Sequence, residues 1–243
     1  MRTLIISDIH ANLPALEAVL EDAGQVDRVW CLGDIVGYGP DPNQCIERVA
    51  NLPDLLCLKG NHDAAILGEI AITAFNYEAR VSLRWLESEL RPENRKWLTG
   101  LEERLEFEGV TFAHGSPRNP VWEYIMDVGT ASDNMRDFNT TICLVGHTHL
   151  PGLYQLKAET QPSTRYYGLV EDEPFTLNEK TILNPGSVGQ PRDNDPRCAY
   201  LIYDDIERCW TFHRVTYDIE QVQARILDAG LPYRHAFRLA EGW

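Results

Sequence analysis

The sequence lacks several features that would place it in a special class of protein. Its six cysteines include no Cys-x-x-Cys pair, and Cys31, Cys57 and Cys143 lie inside apolar runs, so we expect reduced thiols in the core. Met1 and Arg2 lead into a short apolar run that is shorter than the hydrophobic region of a signal peptide. No window approaches the apolar length of a membrane span. We therefore expect a soluble, cytoplasmic protein without membrane association.

Basic side chains are also scarce. The chain has 22 Lys and Arg against 37 Asp and Glu, which gives a net charge of −15 and a pI near 4.8. Such a surface repels a nucleic-acid backbone, and no basic or aromatic track for a strand is evident. Nucleic acid is therefore not the expected partner, although bound divalent cations would make one patch locally positive.

The remaining composition is that of an ordinary globular protein. Hydrophobic residues make up 44% and charged residues 24% of the 243 positions, which provides enough apolar surface for a packed core. The sequence shows no internal repeat and no long linker, and large α/β folds commonly reach this length as one unit. We expect a single domain over residues 1–243.

Short apolar segments organise the first two thirds of the chain. Five of them predict buried strands: Leu4 to Ile6, Val29 to Leu32, Leu55 to Leu58, Val110 to Ala113, and Ile142 to Val145. Between the first two, Asn12 can cap a helix that Gly24 ends, which makes a β-α-β unit. Further helices are predicted over 41–49 and 75–90, and a final one over 218–229. Short β-like segments after Pro151 suggest a second, largely antiparallel sheet packed on the first, with helices outside.

Each predicted strand of the first part is followed by polar side chains that can bind metal. They are Asp8, His10, Asp34, Asn61, His62, His114, His147 and His149. Five of the seven histidines lie at these strand ends. Because the carboxyl ends of strands in an open α/β sheet share one edge, these side chains can converge. A single residue of this kind is commonly only a loop or capping residue, but the whole set favours a site.

The number of these groups favours two ions. Seven of these groups, all except His62, are too many ligands for one transition metal. Two four-coordinate ions, in contrast, need seven ligands if one ligand is shared. A carboxylate is the natural shared ligand because its two oxygens can face two cations, and Asp34, on a strand expected to be central, is the obvious bridge. Paired ions of this kind occur in phosphatases, nucleases and aminopeptidases.

The motifs around these residues resemble a known family. In order along the chain they read "SDIH", "GDIVGYG", "KGNHD", "AHGSP" and "VGHTH". Together they resemble the successive motifs of the calcineurin-like metallophosphoesterase superfamily. The later segment "NPGSVGQPRD" is similar to the small single-domain bacterial and archaeal phosphodiesterase branch of that superfamily.

The resemblance implies a fold, an activity and a role for each site residue. The fold would be a four-layer αββα sandwich of two mixed sheets flanked by helices. One ion would be held by Asp8, His10, Asp34 and His149, and the other by Asp34, Asn61, His114 and His147. A hydroxide bridging the ions would attack the phosphorus of a small phosphoester. His62 would stabilise the transition state or protonate the leaving oxygen, and Arg192 could pair with a phosphate oxygen or be an exposed loop residue without that role.

One departure bears on the substrate. Protein serine/threonine phosphatases of the superfamily carry an acid and an arginine at the places of Gly37 and Tyr38. Their absence shifts the expectation from protein phosphatase activity to phosphodiesters or small phosphoesters. A catalytically silent metal-binding scaffold and a nuclease are the alternatives. The ligand set suits Mn, which we expect for activity, as well as Zn, Fe, Co or Ni. The sequence leaves the oligomeric state open.

Overall fold

The computed structural model describes residues 1–157 and 163–243. The segment over 151–180, whose role at a pocket entrance or an interface the sequence leaves open, lies partly outside the described residues. The strands are β1 (Arg2–Ile6), β2 (Arg28–Cys31), β3 (Leu55–Cys57), β4 (Arg104–Phe107), β5 (Val110–Ala113), β6 (Ile142–Leu144), β7 (Gly152–Lys157), β8 (Ser163–Tyr167), β9 (Thr181–Asn184), β10 (Cys198–Asp204) and β11 (Cys209–Val215). The helices are α1 (Leu13–Ala23), α2 (Pro42–Ala50), α3 (Asn61–Ile66), α4 (Tyr77–Glu89), α5 (Pro92–Thr99), α6 (Val128–Asn134), α7 (Ile219–Asp228) and α8 (Tyr233–Glu241), with a 3₁₀ turn at Ile72–Ala74.

The strands form two mixed sheets. The first has the order β11-β10-β1-β2-β3, in which β1, β2 and β3 are parallel. The second has the order β4-β5-β6-β9-β7-β8, in which β5, β6 and β9 are parallel. All five strands predicted from the apolar runs are present.

The predicted distribution of the late strands is wrong. Instead of building a sheet of their own, β7, β8 and β9 extend the sheet that contains β5 and β6. Strands β10 and β11 return to the first sheet, where β10 pairs antiparallel with β1. Strand β2 is accordingly not central, because β1 takes the middle position. Period-two patterns identify strands but do not say which neighbour each strand pairs with.

The two sheets pack face to face, and helices cover their outer faces. Along β1, Ile5 belongs to the core between the sheets, whereas Leu4 and Ile6 belong to the core under α1, α2 and α4. This alternation follows from the two-residue period of a strand that is buried on both faces. On the other side, Ala131 and Met135, in and just after α6, pack with Ile182 of the second sheet. The result is the expected αββα sandwich.

The four predicted helices are present as α1, α2, α4 and α7, whereas α3, α5, α6 and α8 are further helices that were not predicted. Asn12 accepts the backbone N–H of Ala15 at 3.2 Å, and Gly24 follows the last turn of α1. The predicted last helix is α7, but α8 follows it and is a further helix. The side chains that α8 buries are His235, Ala236 and Leu239. In the described parts of the chain, no helix is long and apolar enough to cross a membrane.

Candidate metal centre

The eight polar residues predicted from the strand ends lie together. All are at most 3% exposed: Asp8, His10, Asp34, Asn61, His62, His114, His147 and His149. They follow β1, β2 and β3 of the first sheet and β5 and β6 of the second. The predicted single edge is therefore two edges, one from each sheet, and the site lies where these two edges meet.

Unusual backbone conformations characterise these strand ends. Asp8, His10, Asp34, His147 and His149 all have positive φ angles between 50° and 65°. Left-handed conformations cost about 1–3 kcal/mol each for residues other than glycine and persist where the surrounding structure enforces them. Such a concentration of strain is typical of a functional site.

His10 and His149 present two lone pairs to the same point. His10 donates its Nδ1–H to the carbonyl oxygen of Val36 at 3.2 Å, and His149 donates its Nδ1–H to that of Gln190 at 2.5 Å. Burial lowers the pKa of both imidazoles well below the ordinary value. Their unprotonated Nε2 atoms nevertheless lie 3.0 Å apart. Two lone pairs so placed repel each other unless a cation lies between them.

His114 makes a similar arrangement on the other side of Asp34. It donates its Nδ1–H to the carbonyl oxygen of Leu32 at 2.9 Å, and its Nε2 lies 3.2 Å from Asn61 Oδ1 and 3.4 Å from Asp34 Oδ2. His147 instead donates its Nε2–H to the carbonyl oxygen of Trp122 at 3.1 Å. Its Nδ1 is therefore the nitrogen free to bind an ion.

The buried carboxylates of the cluster favour the binding of positive charge. Burial raises the pKa of Asp8 to about 7, and its Oδ1 has no hydrogen-bond partner among the described residues. For His114, burial lowers the pKa, but the negative charge of the nearby Asp34 and its contact with the imidazole together have the larger effect and raise this pKa to about 9. Without an ion, protons are drawn to these buried groups. Divalent cations would supply the same charge through coordination, so the residues present fit metal ions.

The ligand atoms fall into compact groups. The atoms of Asp8, His10 and His149 lie within 4.8 Å of one another, and so do those of Asp34, His114 and His147. These two groups parallel the two expected ligand sets. A third group joins His62 to His10 and Asp34. A nitrogen of the His62 ring therefore lies beside ligand atoms of the expected metal centre.

Aromatic rings surround His62. Its ring centroid lies 4.5 Å from that of Tyr38 and 5.0 Å from that of Phe75, and its buried Nδ1 has no hydrogen-bond partner in the described structure. Burial lowers the pKa of His62 to about 4. A Cβ added at Gly37 would meet the imidazole at 2.5 Å, so the small residue at 37 lets this ring approach the loop.

Arg192 lies beside the cluster. Its backbone N–H donates to the carbonyl oxygen of His149 at 3.4 Å. Its guanidinium donates to Gln190 Oε1 at 2.9 Å and lies 3.5 Å from the hydroxyl of Tyr38. The Arg192 side chain is half-buried and adjoins the cluster. The sequence alone did not show whether this arginine lies near the site or on an exposed loop.

Several residues that the sequence did not single out hold the site in place. Asp63 accepts the backbone N–H groups of Asp34, Ile35 and Val36. Its position at N3 of α3, next to Asn61 and His62, is the signal that could have identified it.

A second set of supporting side chains comes from the end of β9 and the segment that follows it. Asn184 donates to the carbonyl oxygen of Gly146 at 2.7 Å and to the hydroxyl of Thr148 at 3.0 Å. Ser187 donates to the backbone carbonyl of Asp8 at 2.8 Å. The motif at 184–193 therefore fixes the loops that carry the histidines.

A cavity of about 380 Å³ lies behind the loop that carries His147 and His149. Its walls are mainly apolar, and they include Val145, Leu150, Tyr154 and Tyr166. None of the eight residues of the cluster lines it. The candidate chemistry therefore lies at the buried polar cluster and not in this apolar cavity.

Two mixed sheets whose adjoining edges collect buried imidazoles and carboxylates define a metal-dependent hydrolase of the αββα class. The chain belongs to the calcineurin-like phosphoesterase superfamily, whose domain model matches residues 1–206. It is thus a hydrolase of phosphoester bonds from a metal-dependent family.

Three relatives show how far this similarity extends. A metallophosphoesterase from Sphaerobacter thermophilus is 44% identical, with a TM-score of 0.91 and complete coverage of both chains. An uncharacterized protein of Methanocaldococcus jannaschii is 36% identical over 94% of this chain and 93% of its own length. The Escherichia coli phosphodiesterase YfcE is 25% identical over 85% of this chain and 89% of its own length.

Proposed function

We propose that this protein is a dinuclear metal-dependent phosphodiesterase that hydrolyses a small phosphoester. One ion is held by Asp8, His10, Asp34 and His149, and the other by Asp34, Asn61, His114 and His147. Asp34 is the shared ligand. His62 acts on the substrate, and Arg192 binds a phosphate oxygen.

The observation that carries the proposal is the direction of the imidazole lone pairs. Backbone carbonyls take the Nδ1–H groups of His10, His114 and His149, so all three Nε2 atoms are turned towards the carboxylates of Asp8 and Asp34. Carbonyl partners of this type are the usual second contacts of metal-binding histidines, because they fix the tautomer and the ring orientation.

Each part of the site has a defined task. When bound, divalent ions lower the pKa of water and stabilise the charge of phosphoryl oxygens. The ring of His62, neutral because of its burial, adjoins the cluster and can hydrogen-bond the leaving oxygen. The half-buried guanidinium of Arg192 offers the forked donor geometry that suits a phosphate. Tyr124 stacks on His147 at 3.8 Å and is 46% exposed, so it can contact the organic part of a substrate.

Two observations favour a diester over a phosphoprotein. Gly37 and Tyr38 stand where protein phosphatases of the superfamily carry an acid and an arginine, and Tyr38 is only 7% exposed beneath the site. The similarity to a phosphodiesterase over most of both chains points in the same direction. Manganese is proposed as the activating ion because the ligands mix imidazole nitrogen with carboxylate and amide oxygen.

The test compares bis(p-nitrophenyl) phosphate with p-nitrophenyl phosphate. Protein stripped with a chelator and refilled with manganese is expected to hydrolyse the diester faster than the monoester, and the stripped protein is expected to hydrolyse neither. Metal analysis of the same samples should give two ions per chain. A refilled protein that holds two ions but hydrolyses neither ester would support the scaffold alternative and contradict the proposal.

A further inference from the structure

Two arginines near the cluster have no acidic partner among the described residues. Arg192 and Arg238 form no ion pair within 4.0 Å in the parts of the chain that the structure describes, residues 1–157 and 163–243. The Nε atoms of both are buried and have no hydrogen-bond partner in the same parts. In a chain with an excess of 15 negative charges, two half-buried guanidinium groups without carboxylates are notable.

The acidic residues closest in sequence to Arg192 are already engaged elsewhere. Asp193 pairs with Arg214, and Asp195 forms a pair with Arg197 at 2.7 Å. Burial, and then the positive charge of Arg192, lower the pKa of Arg238. The two guanidinium groups therefore repel each other. Repulsion of this kind disfavours the charged form of an arginine, and an anion bound near both side chains would relieve it.

The fold holds the two arginines in a fixed relation. The segment after Arg192 is tied to the end of α8, because Asn194 donates its backbone N–H to the carbonyl oxygen of Gly242 at 2.7 Å. Arg238 lies on α8 one turn after the buried His235, whose ring centroid is 4.8 Å from that of Tyr38. Tyr38 also contacts Arg192, whose Cζ lies 5.8 Å from the ring centroid.

Tyr38 links this pair to the metal-binding cluster. Its ring lies 4.6 Å from the ring of His10 and 4.5 Å from that of His62. The backbone of Arg192 bonds to that of His149. An anion between the two arginines would therefore be a neighbour of the phosphate that reacts at the ions.

We propose that Arg192 and Arg238 form a subsite for a second anionic group of the substrate, most simply a second phosphate, with Arg192 shared between this group and the reacting phosphate. The inference rests on the proposed function and narrows it, because the substrate is then a phosphoester that carries another phosphate beyond the reacting one. Guanidinium groups bind phosphate through two parallel hydrogen bonds, which suits this role.

The first experiment measures KM and kcat of manganese-loaded enzyme for thymidine 5′-(p-nitrophenyl phosphate) with and without a 3′-phosphate. Wild type is expected to show a KM about tenfold lower for the 3′-phosphorylated ester, as a charged hydrogen-bonded pair provides. Arg238→Gln is expected to reduce that ratio to about one, and Arg238→Lys to an intermediate value. Arg234→Gln is the matched control, because Arg234 lies on the same helix and over the same Trp243 ring but pairs with Glu78 at 3.5 Å.

A second experiment does not depend on turnover. Equilibrium dialysis compares binding of labelled adenosine 3′,5′-bisphosphate and adenosine 5′-monophosphate to the metal-loaded proteins. Tighter binding of the bisphosphate to wild type and to Arg234→Gln, but not to Arg238→Gln, supports the subsite. Equal binding of the two nucleotides to wild type overturns it. Loss of all diester hydrolysis with this binding pattern intact would contradict the proposed function but not the subsite.

Discussion

The carboxylate of Asp63 accepts the backbone N–H of Asp34 at 2.8 Å, so a residue outside the proposed ligand set holds the proposed bridging ligand in its left-handed conformation. The same carboxylate bonds the backbone N–H groups of Val36 and Gly60 at 3.2 and 2.9 Å. A buried, hydrogen-bonded carboxylate thus organises two of the loops that build the site.

We expect Asp63→Ala to lower the free energy of unfolding by about 3 kcal/mol, because several buried N–H groups lose a charged acceptor. Urea unfolding of the metal-loaded protein measures this, and metal content should fall in the same variant. Asp133→Ala, at an exposed acid in α6, is the control and should change stability by less than about 0.5 kcal/mol. An unchanged unfolding midpoint in Asp63→Ala would show that the loop holds its shape without this residue.

Asp34→Asn is expected to remove activity and weaken the binding of both ions. The substitution keeps the size of the side chain and an oxygen for the backbone N–H of His62, which Asp34 Oδ1 accepts at 2.8 Å. It removes the negative charge that lies between His10 and His114. Metal analysis after dialysis, together with the diester assay, measures the result. If the variant keeps two tightly bound ions, the bridging assignment is wrong.

For His62→Ala we expect near-normal metal content and a fall in kcat of about 10² to 10⁴-fold, the range for loss of a positioned acid or base. His213→Ala is the control, because His213 bonds to Asp172 away from the cluster. Metal analysis separates two roles, since a nitrogen of His62 lies within 4.8 Å of ligand atoms of His10 and Asp34. A loss of metal would make His62 a ligand, and full activity would contradict any role in the reaction.

Much of the site could be predicted because strand ends are local features. Asp8, Asp34 and His114 each follow an apolar run that is long enough to recognise, and every one of these runs is a strand in the structure. The rule that such ends converge then brings distant positions together. What could not be predicted is which of the two sheets each run belongs to, since the side-chain pattern of β5 or β6 carries no information about its neighbours.

The supporting residues were harder to predict for a different reason. Asp63 and Ser187 act through backbone groups of residues far away in sequence, and such contacts leave no periodic pattern. The helix α8 was missed because its apolar side is narrow and includes His235. The same helix carries Arg238, so the relation of Arg238 to Arg192 follows only from the tertiary structure.

Removing the ions is expected to lower the melting temperature of the wild-type protein by roughly 5–10 °C. Ligands that bind only the folded state stabilise it by about 2.7 kcal/mol at a hundred times their Kd, and each kcal/mol shifts a protein of this size by about 2–4 °C. Calorimetry with and without chelator gives the shift. Asp34→Asn should show little response to the chelator, whereas an equal response would mean that the stabilising ions bind elsewhere.

Glu123 supplies a pH-dependent contribution to stability close to the site. Arg118 pairs with it at 2.6 Å, and this contact, aided by Ser116, lowers the pKa of Glu123 to about 2 from its usual 4.5. Because the folded-state pKa is the lower one, the stabilisation is present above about pH 4.5 and is lost as the pH falls towards 2. Glu123 also follows Trp122, whose carbonyl orients His147.

We therefore expect Glu123→Gln to melt below wild type at pH 7, with a difference that shrinks between pH 4.5 and 2. Melting temperatures across this range, measured beside Glu87→Gln at an exposed position of α4, give the comparison. At pH 7 the Glu123 variant should also bind metal more weakly than the Glu87 variant, because the Trp122 carbonyl loses its anchor. A melting difference that stays constant from pH 7 to pH 2 would mean that the charge of Glu123 does not stabilise the fold, and the variant's lower stability would then come from lost packing or hydrogen bonds alone.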